Sequence, residues 1–433
     1  MAAEHGENGA AALAGVPDAQ TGVVRLLADP ASYPHTVDRV DRHDTHAAMV
    51  FLAGPYAYKV KRAVQYPYLD FATLAKRRAV CRTEIARNRR TAPDLYLGLC
   101  PIRRTPDGGL ALGEPVAEPG PGDATEADDA VEVALVMRRF DQGDLLAAVA
   151  ERGGLTDGLL DRLAAVVADF HDAAEPVQRD VVATHRAEIA DTTATLHDAP
   201  EIVAPETADE LDARGRAVMD AVADRLDARV AAGLVRRCHG DLHLGNIVLW
   251  DGVPTPFDCI EFNDDLADID VLYDLAFLLM DLDHRGRRAA ANRVLNRYLG
   301  RRDDLDGLAA LPLFLALRAG IRAKVGVSAL ATVTDPAERD RRTTAIRGYV
   351  DAARGYLDPP SPVLVAVGGV SGTGKTTVAR ALAPDVGAAP GALIVRSDVE
   401  RKRLFNVAET ARLPESAYQG RANAQVYARM FAR

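Results

Sequence analysis

Short apolar runs broken by turns occupy the chain from Val23 to Phe140, and long helical stripes occupy most of the remainder. Residues 47–52 are apolar, Gly54-Pro55 turns the chain, and residues 56–64 alternate again, which predicts a β-hairpin. Residues 74–90 then read as a charged helix, with Leu74, Val80, Cys81, Glu84, Ile85 and Asn88 at helical intervals. A second strand pair is predicted over 98–102 and 131–137. Between them lies a Gly-, Pro- and acid-rich surface loop, residues 113–129.

Beyond Phe140 the period changes from two to about 3.6. Leu155, Leu159, Leu160, Leu163, Val166, Val167 and Phe170 form one apolar stripe, and two more helices follow over 180–196 and 208–232. The chain returns to strand near Val235. Further helices are predicted over 270–282, 289–299, 309–331 and 336–356, until the proline cluster at 358–362 ends the last of them. The resulting division is a disordered, Ala- and Gly-rich start (1–22), a small antiparallel β lobe (23–140), a large helical lobe holding a polar strand-turn-strand segment (141–358), and a separate segment over 362–433. The fold class is mixed α/β.

With 48% hydrophobic and 26% charged residues, the 433-residue chain has the composition of a globular protein able to bury a large core. No apolar run approaches the roughly 20 residues of a membrane span, and no signal peptide opens the chain, so a cytoplasmic location without a membrane partner is expected. A net charge of −10 gives the whole chain no electrostatic reason to bind nucleic acid. Residues 362–433 differ, with ten basic and five acidic side chains. Cys81, Cys100, Cys238 and Cys259 show neither paired nor dense spacing, so they are expected to be reduced and mostly buried.

Residues 235–250 read VRRCHGDLHLGNIVLW, two apolar strands around a polar turn that holds His239, Asp241 and Asn246. Asp258 follows in the apolar context PFDCI. A carboxylate to take a hydroxyl proton, with a second carboxylate and an amide to hold magnesium, is what phosphoryl transfer requires. Upstream, Lys59 lies on a predicted strand and Glu84 on the next helix, a pair that would orient nucleotide phosphates. Lys61 shares the strand face of Lys59, and the sequence leaves open which of the two meets phosphate.

HGDLHLGN followed by FDCIEF resembles the catalytic and metal-binding motifs of aminoglycoside phosphotransferases and the related choline and fructosamine kinases, over residues 23–356. That resemblance implies a bilobal, protein-kinase-like fold and an ATP- and magnesium-dependent transfer of phosphate to a hydroxyl of a small molecule, an amino sugar or sugar. It implies Asp241 as general base, His239 as support of the turn, and Asn246 and Asp258 as magnesium ligands. Lys59 with Glu84 would grip the nucleotide, and residues 133–140 would be the hinge beside adenine. No glycine-rich GxGxxG precedes Lys59, so phosphate cover must come from the hairpin backbone. Asp264, Asp265 and Asp268 hint at a cationic acceptor. Asp270 and Asp274 would either brace the catalytic loop or cap a helix. His171 either matches a family helix signature or is a core-edge histidine, and His243 would either bind substrate or phosphate or be a bystander.

Residues 363–380 read VLVAVGGVSGTGKTTVAR, a strand, a GxxxxGKS/T loop and a helix. Gly369, Gly372 and Gly374 would let backbone N–H groups cradle phosphate. Lys375 would reach the outer phosphates, and Thr376 would offer its hydroxyl to magnesium. Residues 393–395 make a second predicted strand. Asp398 and Arg401 beyond it resemble the substrate-side acid and arginine of gluconate-kinase-like P-loop kinases. This module is expected to be a fragment, or else one that has lost its catalysis, and to hold phosphate weakly without turnover; the alternatives are that it carries the chemistry with the first part regulatory, or that the protein only binds nucleotide.

Overall fold

The computed structural model describes residues 17–66, 69–331, 333–370, 372–408 and 411–433. The disordered start expected over 1–22 lies outside the described residues as far as residue 16. Residues 17–22, by contrast, enter helix α1 (Thr21–Ala28), because Gln20 is buried and donates from Nε2 to Lys61 O at 2.7 Å and to Glu132 Oε2 at 2.8 Å. The contacts divide the chain into two compact units, the first of residues up to 154 with 237–269 and the second of residues 155–236 with 270–433.

The first unit is built on β1 (Val40–Asp44), β2 (Ala48–Ala53), β3 (Tyr56–Lys61), β4 (Tyr96–Arg104), β5 (Leu110–Leu112) and β6 (Ala130–Arg138), in the antiparallel order β1-β2-β3-β6-β4-β5. The expected hairpin is β2–β3, with Val50 opposite Lys59. Gly54 turns it at φ 55°, a left-handed backbone that glycine adopts at no steric cost. Strand alternation sorts the side chains of β3. Tyr58 and Val60 join a core with Val24, Leu27, Phe51 and Ile102 beneath α1, while Ala57 packs with Cys81, Ile85, Leu95 and Leu135 on the side of α2 (Leu74–Asn88). Lys59 and Lys61 share the parity of Ala57 and so point to the α2 side.

Helix α2 begins where Thr73 Oγ1 accepts from Lys76 N, and its far end holds the polar segment 237–269. Arg87 donates to Ile260 O (2.7 Å) and pairs with Asp264. Asn88 Oδ1 accepts from Cys259 N (2.9 Å), and Arg90 donates to Arg237 O (2.6 Å). These bonds are why that segment groups with the sheet and not with the helices. The unit also contains the short α3 (Leu146–Glu151) and the hairpin of β7 (Ile247–Trp250) and β8 (Val253–Pro256).

The second unit is helical: α4 (Asp157–Ala173), α5 (Val181–His197), α6 (Pro205–Ala231), α7 (Val271–His284), α8 (Arg288–Arg302), α9 (Leu311–Leu330) and α10 (Pro336–Tyr356). Every residue of α7 from Val271 to Leu282 is buried, which makes it the central helix. Asp270 caps it, accepting from Leu272 N at 2.8 Å, and also takes two bonds from Arg229. Asp274 pairs with His171, whose other ring nitrogen meets Tyr298 Oη at 2.8 Å, so this histidine is a fully buried core residue.

Past the proline cluster come α11 (Lys375–Leu382), α12 (Ser397–Leu404) and α13 (Gly420–Phe431). The strands expected over 363–368 and 393–395 are not formed. A strand needs a neighbour for its N–H and C=O groups, and among the described residues neither segment pairs into a sheet. Leu364 stands 88% exposed, and Ile394 N donates instead to the side chain of Asn296 on α8. All four cysteines are buried and unbridged, and no helix among the described residues is long and apolar enough to cross a membrane.

Candidate active site

Within the first unit β3, α2 and the segment 237–269 bring their charged groups together. Lys59 Nζ lies 2.8 Å from Glu84 Oε1 and 2.6 Å from Asp258 Oδ1. Lys61 Nζ lies 2.6 Å from the other oxygen of Glu84, Oε2, and pairs with Glu261. Sequence reasoning assigned no role to Glu261, although it stands in the FDCIEF motif. Nothing local marks it, since its partner is 200 residues away.

Three carboxylates thus face two ammonium groups. Burial opposes the charge of Glu84, but Lys59 and then Lys61 outweigh it and hold its carboxyl below the ordinary range. Burial likewise opposes the charge of Asp258, and Lys59 again prevails; the side chain is 42% exposed, so solvent screens part of that attraction. Glu261 goes the other way, because burial there exceeds what Lys61 returns and its carboxyl titrates above the ordinary range. Both lysines are held above theirs, the carboxylates overcoming burial. A site with one surplus negative charge and an accessible aspartate has the donor chemistry to receive a divalent cation.

The turn beyond β-strand residues 235–237 is fixed by a buried imidazole. His239 Nε2 is 2.9 Å from Phe257 O, and its Nδ1 accepts from Asp241 N at 3.3 Å, so these partners set the proton on Nε2. Gly240 takes φ 86°, where a Cβ would sit 2.6 Å from Leu266 O. Asn246 spends its amide on Asp241, donating from Nδ2 to Oδ2 at 2.8 Å and to the backbone O at 3.0 Å. That leaves its amide oxygen as the atom to offer a cation. His243 Nε2 stands 3.5 Å from Asp241 Oδ2, and its Nδ1 accepts from Gly245 N.

Asp258 itself adopts φ 60°, a left-handed conformation that costs a non-glycine residue about 1–2 kcal/mol. Neighbouring bonds hold it there: its N donates to Tyr96 Oη at 3.0 Å, and the following residues are bound by Asn88 and by His239 O. Tyr96, Asn88 and Arg87 are further supports that sequence reasoning missed. Asp264 pairs with Arg87 and Asp268 with Arg237 (3.0 Å), so two of the three aspartates that hinted at a cationic acceptor already have a counter-ion.

In the second unit, Gly369 (φ 148°), Gly372 (80°) and Gly374 (82°) lead into α11, with Ser371 outside the described residues. Lys375 Nζ donates back to Val370 O at 2.6 Å, and Thr376 follows on the first turn. Asp398 pairs with Lys402 at 3.0 Å. Arg401, expected on a substrate side, is instead buried: it donates to Ala417 O at 2.5 Å and lies 4.8 Å over the Tyr418 ring, stapling α12 to the segment ahead of α13.

Residues 111–311 match the Phosphotransferase enzyme family, and residues 364–433 match an AAA domain. Uncharacterized proteins of Mycobacterium tuberculosis and Mycobacterium bovis are each 32% identical over 376 residues, 84% of this chain and 68% of theirs. Similar solved structures include a choline/ethanolamine kinase family protein from Mesorhizobium loti (15% identity, TM-score 0.39, 77% of this chain and 99% of that one). A Plasmodium vivax ethanolamine kinase is also similar (9%, 0.44, 79% and 95%), as is aminoglycoside 2'-phosphotransferase-IIIa (14%, 0.38, 73% and 94%).

Proposed function

The chain belongs to the phosphotransferase enzyme family, and from that premise we propose that its first unit transfers the γ-phosphate of ATP to a hydroxyl of a small molecule, with sugars and amino sugars as the first acceptors to try. The observation that carries this reading is the position of Lys59 between Glu84 and Asp258, on the same unit as the bonded pair Asp241–Asn246.

Asp241 accepts the proton of the acceptor hydroxyl, and its carboxylate is aimed by the amide of Asn246. His239 is a positioning residue that keeps the turn in register through Phe257 O and Asp241 N. Lys59 turns from Asp258 to the nucleotide phosphates while Glu84 keeps hold of it. Residues 133–140 form the hinge beside adenine. Asn246 Oδ1 and Asp258 would hold magnesium, which when bound offsets the charge of the phosphate oxygens. The glycines at 369, 372 and 374, with Lys375 and Thr376, support a second phosphate-holding loop of their own.

The test is acceptor screening: the full chain is incubated with magnesium and ATP against panels of sugars, amino sugars and aminoglycosides, and products are read by mass spectrometry for added phosphate. Phosphorylation of at least one hydroxyl compound is expected. ATP consumption that no acceptor stimulates would count against the reading.

A further inference from the structure

Strand β3 delivers two lysines to one carboxylate, whereas holding a nucleotide phosphate calls for one. Their surroundings differ. Lys59 is 14% exposed and its second partner, Asp258, is 42% exposed, so this lysine looks toward the open side of the cluster. Lys61 is 3% exposed and its second partner, Glu261, is 6% exposed; beneath it the Phe71 ring lies 5.5 Å from Nζ. No phosphate reaches Lys61 without displacing one of two buried carboxylates.

What Lys61 does reach is the chain that carries Asp258. Each residue from 258 to 261 is tethered. Asp258 N is bound by Tyr96 Oη, Cys259 N by Asn88 Oδ1, Ile260 by His239 O and Arg87, and Glu261 by Lys61. The first three tethers fix backbone atoms. The fourth is ionic, joins this segment to β3, and through Glu84 also meets the helix that holds Lys59.

We infer that Lys61 and Glu261 form a positioning pair, which sets the left-handed Asp258 at the height where it meets magnesium and leaves the nucleotide to Lys59. This rests on the phosphotransferase reading above and assigns the phosphate lysine within it. Groups that orient metal ligands from behind change metal affinity by roughly 10–100-fold when removed. Loss of a direct charge-assisted bond to phosphate instead weakens the nucleotide itself by about tenfold or more.

The experiment uses the full chain carrying Lys375→Ala, so that the second loop does not report. Binding of a fluorescent ATP analogue is titrated with and without magnesium, for this parent and for Lys59→Met, Lys61→Met and Glu261→Gln on it. Far-UV circular dichroism checks the fold of each variant, and the near-isosteric Glu261→Gln serves as the second variant should Lys61→Met unfold. Lys59→Met is expected to weaken binding about tenfold or more in both conditions. Lys61→Met and Glu261→Gln are expected to keep magnesium-free binding within about threefold while the magnesium needed for half-saturation rises about tenfold or more. Magnesium-free binding that falls with Lys61→Met as far as with Lys59→Met makes Lys61 a phosphate ligand and overturns the inference, with the phosphotransferase reading intact. Unchanged magnesium dependence in Glu261→Gln overturns it too. A parent that binds no nucleotide removes that reading, and the inference with it.

Discussion

Arg229→Met removes the cation from an enclosed charge network of the helical unit. The guanidinium, 2% exposed, meets Asp270 through Nε and Nη2 (2.6 and 2.8 Å) and Asp304 through Nη1 and Nη2 (2.6 and 2.8 Å). Methionine restores most of the volume and none of the charge, so two buried carboxylates remain without a counter-ion. Removing one partner of a buried pair costs about 3–5 kcal/mol, which for a unit of this size lowers the melting temperature by about 6–20 °C. Urea unfolding followed by circular dichroism at pH 7 is the assay, with the melting temperature read alongside. A deficit below about 1 kcal/mol would refute the claim that Arg229 compensates these aspartates.

Gly240→Ala places a Cβ 2.6 Å from Leu266 O at φ 86°, so a loss on the order of 1–3 kcal/mol and of phosphotransfer is expected, read by thermal melting and by ATP turnover. Glu84→Gln and Glu261→Gln should change the pH dependence of stability in opposite senses. Glu84 titrates low, so its contribution is present above the unfolded glutamate value and lost as pH falls through the depressed one; its glutamine variant should be less stable at neutrality with a flatter acid limb. Glu261 titrates high, so its titration adds stability as pH falls through the raised value toward the unfolded one, and its glutamine variant should lack that gain; urea midpoints at pH 7 and about pH 4 decide both.

The helices were legible because their stripes persist over several turns: the helix expected over 336–356 is α10 itself, and the stripe starting at Leu155 becomes α4. The β2–β3 hairpin was equally plain, since Gly54-Pro55 sits between a short apolar run and an alternating one. The strand expectations at 363–368 and 393–395 failed because a sheet depends on partners elsewhere in the chain, which no local pattern supplies. Local patterns also hid Glu261 and Tyr96, whose meaning comes from Lys61 and from the backbone of Asp258. The surroundings of Arg401 were hidden for the same reason: the residues DVER carry an acid and a base at suggestive spacing, and only the tertiary contact shows the base lying over Tyr418.

The central claim is that chemistry occurs at Asp241 in the first unit. Single-turnover transfer of labelled γ-phosphate from ATP to a responsive acceptor, compared between Asp241→Asn and Lys375→Ala, tests it most directly. The account predicts a drop on the order of 10²- to 10⁴-fold for Asp241→Asn, the loss of a general base, with Lys375→Ala still transferring. Transfer that survives Asp241→Asn and disappears with Lys375→Ala would contradict it.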